Sequence, residues 1–350
     1  PTPPDVLDAA ARAMQSGLTH YDSSRGSPDL RRAAAIKLTR DDGVTYDAET
    51  EILVTHGGIH AYYAGLQSIL NPGDEVLIPD PSWATHANMV TMLRGVAVRV
   101  PAPAENGFIP AMDLWERALT PRTRLIVINY PSNPTGAYPT RDYLQQLQNL
   151  ATEYDLWIVS DEVYASLYYG EKPACAAAFE GARERTLVVN SLSKSYAMTG
   201  WRVGFLAAPR RVIDNAIKAG QNSITCVAPF IQKAAAFALT DPAIQQVTAD
   251  MRAAYARRRD LVLRLSRELE SDKVRVIPPM GAFYFFLDLR GLNMPSFEIC
   301  SRLLDEAGVA LVPGSAFGAQ GEGFARLCIA ASDEDVEAGF RAVVDWAERQ

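Results

Sequence analysis

The sequence predicts an α/β protein, with a mostly parallel seven-stranded sheet sandwiched by helices and a smaller α+β domain beside it. Three observations carry this expectation. Seven short apolar runs, at 52–55, 75–79, 96–100, 125–130, 156–160, 186–190 and 204–207, alternate with helix-like stretches and are bounded by turn residues. Runs that stay apolar without alternation mark strands covered on both faces, as in parallel sheets. Most of the candidate ligand residues follow the carboxyl ends of these runs, where open parallel sheets bind their ligands. The third observation is length, because 350 residues are enough for one large and one small domain.

From 241 to 272 the chain is rich in Ala, Arg and Leu, has no glycine and has proline only at Pro242, so it reads as one long helix leaving the large domain. Strand, turn and strand follow at 274–289, around Pro278-Pro279-Met280-Gly281. Helix, strand and helix are expected at 296–307, 309–312 and 332–349. The expected division is a large domain at 41–240, a connecting helix at 241–272, and a small domain made of 1–40 with 273–350. No internal repeat or low-complexity segment is present.

A net charge of -7 argues against a nucleic-acid surface, and no stretch reaches the roughly 18 apolar residues of a membrane span. The opening Pro1-Thr2-Pro3-Pro4-Asp5 has no signal pattern, so the expectation is a cytoplasmic enzyme with no nucleic-acid or membrane partner. Cys175, Cys226, Cys300 and Cys328 show no paired spacing, which suits reduced thiols. His56 and His60 stand four apart without the Glu of a His-Glu-x-x-His zinc motif, so no metal is expected.

The most specific signal is Ser191-Leu192-Ser193-Lys194-Ser195-Tyr196-Ala197-Met198-Thr199-Gly200-Trp201-Arg202-Val203-Gly204, directly after the run at 186–190. A free lysine, with a pKa of about 10.4, is neutral in only roughly one molecule in 2,500 at pH 7, and only the neutral amine attacks a carbonyl or takes a proton from carbon. Moving that pKa to about 7 requires roughly 4.6 kcal/mol, which burial and the cation of Arg202 can supply together. Lys194 in this frame points to an amine that carries an aldehyde cofactor. Ser191 and Ser193 offer hydroxyls, and Arg202 a charged fork, to a phosphate.

Other candidates are weaker one at a time. Gly57-Gly58 sits between a strand and a helix start and suits an anion, or is simply a tight turn. Asn133, held between Pro131 and Pro134, can present its amide at a fixed angle, or belong only to a turn. Asp161 ends the apolar run at 156–160, ahead of Glu162 and Tyr164. A carboxylate there needs a cation, such as a protonated pyridine nitrogen, unless it caps a helix. Trp83 can stack on a planar ring or pack in the core. Arg326 by itself suggests a surface salt bridge.

Taken in order, Tyr21-x-x-x-x-Gly26, Pro81-Ser82-Trp83, Asn133-Pro134-Thr135-Gly136, Asp161-Glu162-x-Tyr164, Ser191-x-Ser193-Lys194, Gly200-x-Arg202-x-Gly204 and Pro313-Gly314-x-x-Phe317-Gly318 resemble the class I aminotransferases of the fold type I pyridoxal 5'-phosphate (PLP) superfamily. The resemblance runs from Tyr21 to the C-terminus. It implies a PLP-dependent aminotransferase that moves an amino group between an L-amino acid and a 2-oxo acid by a ping-pong mechanism. Elimination, such as carbon–sulfur cleavage, is the alternative outcome of the same chemistry. A non-catalytic PLP-binding regulator would need a DNA-binding segment, and none is visible.

The resemblance also implies roles. Lys194 carries PLP covalently and moves the proton between Cα and C4′, Asp161 pairs with the pyridine nitrogen, and Asn133 and Tyr164 hydrogen-bond the phenolic oxygen. Trp83 stacks on the ring, and Gly58, the Ile59 backbone, Ser191, Ser193 and Arg202 take the phosphate. Tyr21 reaches the phosphate of the neighbouring subunit in a homodimer with shared sites. Arg326 grips the substrate α-carboxylate, with Asn133 and Trp83 beside it. Such proteins usually carry a few dozen residues ahead of this point, including a glycine-containing lid, and nothing here matches that segment. Ile59 stands where aspartate-using bacterial relatives often have a lysine, which favours neutral or aromatic side chains over acidic ones.

Overall fold

Apolar β-branched and leucine-rich runs form the strands expected of them. The computed structural model describes residues 1–350 and contains a sheet of β1 (Ile52–Thr55), β2 (Glu75–Asp80), β3 (Val96–Pro101), β4 (Thr123–Asn129), β5 (Trp157–Asp161), β6 (Thr186–Ser191) and β7 (Gly204–Ala207). The spatial order is β1-β7-β6-β5-β4-β2-β3. Only β7 runs antiparallel to its neighbours. Every residue of β1, β2, β5, β6 and β7 is buried, which explains the absence of polar alternation.

Nine helices flank this sheet: α1 (Pro4–Gln15), α2 (Pro28–Asp42), α3 (Gly57–Ile69), α4 (Ala84–Met92), α5 (Met112–Arg117), α6 (Arg141–Glu153), α7 (Leu192–Ser195), α8 (Arg210–Gln221) and α9 (Pro229–Thr240). Alternate strand residues serve opposite faces. Val127, Val159, Val189 and Leu206 pack with Tyr62 and Leu66 of α3 and Ile213 of α8. On the other face, Ile126, Ile128 and Ile158 meet Trp115 of α5 and Leu147 of α6. Val188 and Phe205 meet α1, α2 and α9.

That last contact corrects the expectation for residues 1–40. Val6 and Ala10 of α1 and Leu30, Ala34 and Leu38 of α2 share one core with Ile52, Val54 and Phe205, so this segment packs on the large sheet and not with the small one. The physical reason lies in α9, where Ala234, Ala235 and Ala238 are small enough for both helices to approach closely.

A single helix, α10 (Pro242–Leu269), follows, its start capped by Asp241, whose Oδ1 accepts the Ala243 N–H at 2.9 Å. Ile244 near its start is buried with the α1/α2/α9 core, while Val262 and Leu265 near its end belong to the core of the second sheet. This antiparallel sheet has the order β10-β11-β9-β8, from β8 (Arg275–Val276), β9 (Tyr284–Asp288), β10 (Val312–Pro313) and β11 (Phe324–Cys328). Helices α11 (Ser296–Ala307) and α12 (Asp333–Glu348) pack on it through Ile299, Leu303, Phe340 and Val343. Of the run at 309–312, only Val312 joins a strand. Val309 instead closes the end of α11, its N–H donating to the Leu303 carbonyl after Gly308 turns left-handed at φ 67°.

Phe205 is fully buried on β7, between β6 and the layer of α1, α2 and α9. Phe205→Ala is expected to cost about 3–5 kcal/mol of unfolding free energy in urea denaturation; a loss below about 1 kcal/mol would contradict its role as a keystone of that layer.

Candidate active site

The carboxyl ends of β4, β5 and β6 lie side by side, with Asn129 opposite Asp161, and the polar residues beyond them converge on one cavity of about 370 Å³. Gly58, Ile59, Trp83, Asn133, Asp161, Tyr164, Ser191, Ser193, Lys194, Arg202 and Arg326 all line it. Tyr21 is the one candidate that does not, and its ring is 88% exposed on the surface.

Lys194 sits in α7, the short turn that directly follows β6. Its Nζ lies 5.6 Å from the centre of the Phe283 ring and 5.9 Å from that of Tyr164. Burial lowers the pKa of this amine below the ordinary lysine value. The guanidinium groups of Arg326 and Arg202 lower it further, against an opposing pull from Cys328. The neutral, reactive form is therefore more accessible than in a solvated lysine.

One end of the cavity is built from hydrogen-bond donors. Helix α3 begins at Gly57, and its N-cap residue His56 makes no side-chain cap. The first-turn amides, Gly58 and Ile59 among them, have no acceptor within the helix and carry its positive dipole end. Arg202 takes a left-handed backbone, φ 51°, and its Nη1 donates to the Thr199 carbonyl at 2.8 Å. Its guanidinium rests against Gly57, where a Cβ would stand 2.7 Å from Nη2, and the φ of +75° at Gly57 also disfavours any side chain. Ser191 is buried; its Oγ accepts the Ser193 N–H at 3.1 Å and lies 2.9 Å from the Ser193 Oγ. Amides, two rotatable hydroxyls and a fixed cation form a donor set that fits a phosphate dianion.

At the other end lies Asp161, only 4% exposed. Its Oδ2 is 3.0 Å from Nε2 of the buried His86, its Oδ1 accepts the Val163 N–H at 3.3 Å, and its carbonyl accepts from Asn129 Nδ2 at 3.0 Å. The remaining capacity of this carboxylate faces the cavity, ready for a cationic N–H. Trp83, the N-cap of α4, stands edge-on to His86, with ring centres 5.2 Å apart.

Asn133 joins the two sheets. Its backbone N–H donates to Asn129 Oδ1 at 2.9 Å, and its Oδ1 accepts from Arg326 Nη1 at 2.7 Å, which leaves Nδ2 for a ligand. The Arg326 guanidinium packs 4.5 Å from the centre of the Tyr284 ring and 5.0 Å from that of Phe317, while its buried Nε has no protein partner. A planar, pre-oriented fork with a donor to spare suits a carboxylate. The Tyr164 hydroxyl lies 3.0 Å from that of Tyr284.

Asn129, His86 and Tyr284 were not among the residues singled out from the sequence. Asn129 ends β4, four residues before Asn133, and His86 stands one helical turn beyond Trp83, so helical spacing was the available signal for the latter. Val163 and Thr199 also line the cavity. No helix is long and apolar enough to cross a membrane.

Comparison with known proteins identifies the family. The family profile described as aminotransferase class I and II matches residues 1–343. The aromatic-amino-acid aminotransferase 2 of Thermococcus litoralis is 40% identical over 337 residues, which is 96% of this chain and 86% of that protein. The aspartate aminotransferase of Pyrococcus abyssi is also 40% identical, with the same shares covered. Among solved structures, the aromatic aminotransferase of Pyrococcus horikoshii superposes with a TM-score of 0.96 at 38% identity, covering 99% of this chain and 93% of that one. Thermus thermophilus aspartate aminotransferase with maleate gives 0.93 at 38% identity, covering 98% and 88%. The chain belongs to the class I and II aminotransferase family, and its activity is that of an amino acid aminotransferase.

Proposed function

We propose that the cavity holds PLP tethered through Lys194, and that amino-group exchange between an L-amino acid and a 2-oxo acid takes place there. One observation carries this assignment: a partly dehydrated lysine amine shares a single cavity with a buried carboxylate and an all-donor anion cradle. When bound, PLP supplies an electron sink for negative charge at the substrate α-carbon. Asp161, oriented by His86, accepts the ring N–H and holds that nitrogen protonated. Asn133 Nδ2 and the Tyr164 hydroxyl donate to the phenolic oxygen, and Trp83 stacks on the ring. Ser191, Ser193, Arg202 and the amides of Gly58 and Ile59 take the phosphate. Lys194, as the neutral amine, removes the proton from Cα and delivers it to C4′.

Arg326 grips the α-carboxylate. The cations lining the cavity are Lys194, Arg202 and Arg326, and each is committed to the cofactor or the α-carboxylate. A side-chain carboxylate would then meet the apolar Ile59 without a partner of its own, so the favoured substrates have neutral or aromatic side chains. We place the enzyme in a homodimer, supported by Tyr21, whose exposed hydroxyl is free to reach a neighbouring subunit's phosphate. Its four cysteines are unpaired, which supports a reducing, cytoplasmic setting.

Three measurements test these assignments. Lys194→Ala should abolish the near-visible absorbance of the PLP-loaded protein and cut turnover by at least about 100-fold; full activity would remove Lys194 from the chemistry. In a stopped-flow screen of the half-reaction, phenylalanine or a neutral amino acid should react about 10-fold faster than aspartate, and a clear preference for aspartate would reverse the substrate assignment. Tyr21→Phe should weaken PLP retention by about 10-fold, the loss of one hydrogen bond to a charged group. Unchanged cofactor affinity in a dialysis assay would argue against a shared site.

A further inference from the structure

Tyr284 lines the cavity, yet none of the assignments above uses it. It lies on β9 in the small sheet, opposite Cys328 of β11, while Tyr164 follows β5 of the large sheet, so their 3.0 Å contact between hydroxyls spans the two lobes. This is the one side-chain hydrogen bond either phenol makes. The Tyr284 ring is also fixed from above by the Arg326 guanidinium, 4.5 Å from its centre. Burial raises the pKa of both phenols, that of Tyr164 well above the usual value, so each keeps its proton near neutral pH.

A phenol has one proton to donate. If Tyr164 gives its proton to Tyr284, it has none for a ligand in the cavity. If Tyr284 donates to Tyr164, the Tyr164 proton is released toward the cavity and is made a stronger donor by the bond it accepts. We propose that Tyr284 is a positioning residue that donates to Tyr164 and thereby aims the Tyr164 proton at the cofactor's phenolic oxygen. This rests on the assignment of PLP to the cavity and of Tyr164 to that oxygen. The same ring braces the arginine that takes the α-carboxylate, so one side chain sets the donor at the cofactor end and the fork at the substrate end. The charged and titratable groups around the pair are Asp161 and Lys194 from the large lobe, Arg326 and Cys328 on β11, and Tyr255 on α10. All are kept unchanged in the test.

The test is spectrophotometric titration of the near-visible band in PLP-loaded wild type, Tyr164→Phe, Tyr284→Phe and the double variant. A donor to the phenolic oxygen stabilises its anionic, deprotonated state and holds the midpoint low, so losing the donor raises the midpoint. Tyr164→Phe should raise it by about one pH unit, Tyr284→Phe by about half a unit, and the double variant no further than Tyr164→Phe alone. Replacing Tyr284 by 3-fluorotyrosine, a more acidic phenol of nearly the same shape, should move the midpoint below wild type, and this variant keeps the test open if the Phe substitution loosens the fold. If Tyr164→Phe shifts the midpoint while neither change at Tyr284 does, Tyr284 is only a brace between lobes and the inference fails. If Tyr164→Phe itself has no effect, the assignment of Tyr164 fails and the relay with it. A Tyr284→Phe shift that persists without the Tyr164 hydroxyl would also overturn the relay.

Discussion

The site depends on setting a lysine amine, its pKa lowered by burial, next to a buried carboxylate. In water neither condition holds, because Lys194 would be an ammonium and Asp161 would be hydrated. Here the amine is partly dehydrated and feels two guanidinium groups, while the carboxylate is held by His86 and the Val163 N–H. Both follow from strand ends. β5 ends at Asp161 and β6 at Ser191, so the sheet delivers the carboxylate and the lysine turn to adjacent positions, and the fully buried strands behind them keep water out.

The donor cradle and the carboxylate fork extend this arrangement in opposite directions. Arg202 belongs to the large lobe and reaches α3 only because residue 57 has no side chain. Arg326 belongs to the small sheet and reaches the large one through Asn133. A ligand with an anionic group at each end would therefore be held by both lobes, and the hydrogen bond between Arg326 and Asn133 sets their spacing before any ligand arrives.

Much of this was legible in the sequence because it is local. Parallel strands buried on both faces leave continuous apolar runs, and the residues just past their ends, such as Asn133, Asp161 and Lys194, sit in short motifs that keep their spacing. What escaped is non-local. His86 meets Asp161 across 75 residues and Tyr284 meets Tyr164 across 120, separations no periodicity encodes. Strand β11 hid behind an arginine at its centre and an exposed cysteine at its end. Nothing within residues 1–40 names the alanine surface of α9, on which α1 and α2 pack, as their partner.

Helix α10 is rooted at one end in the core beneath α1 and α9 and at the other in the core of the second sheet. Its 28 residues form an axle about 40 Å long, at roughly 1.5 Å per residue. Loosening either root frees one end of the helix that spans both cores. The two halves of the molecule are therefore yoked, and damage far from the cavity, at a leucine buried near one end of that rod, would reach Lys194 and Arg326 as misalignment.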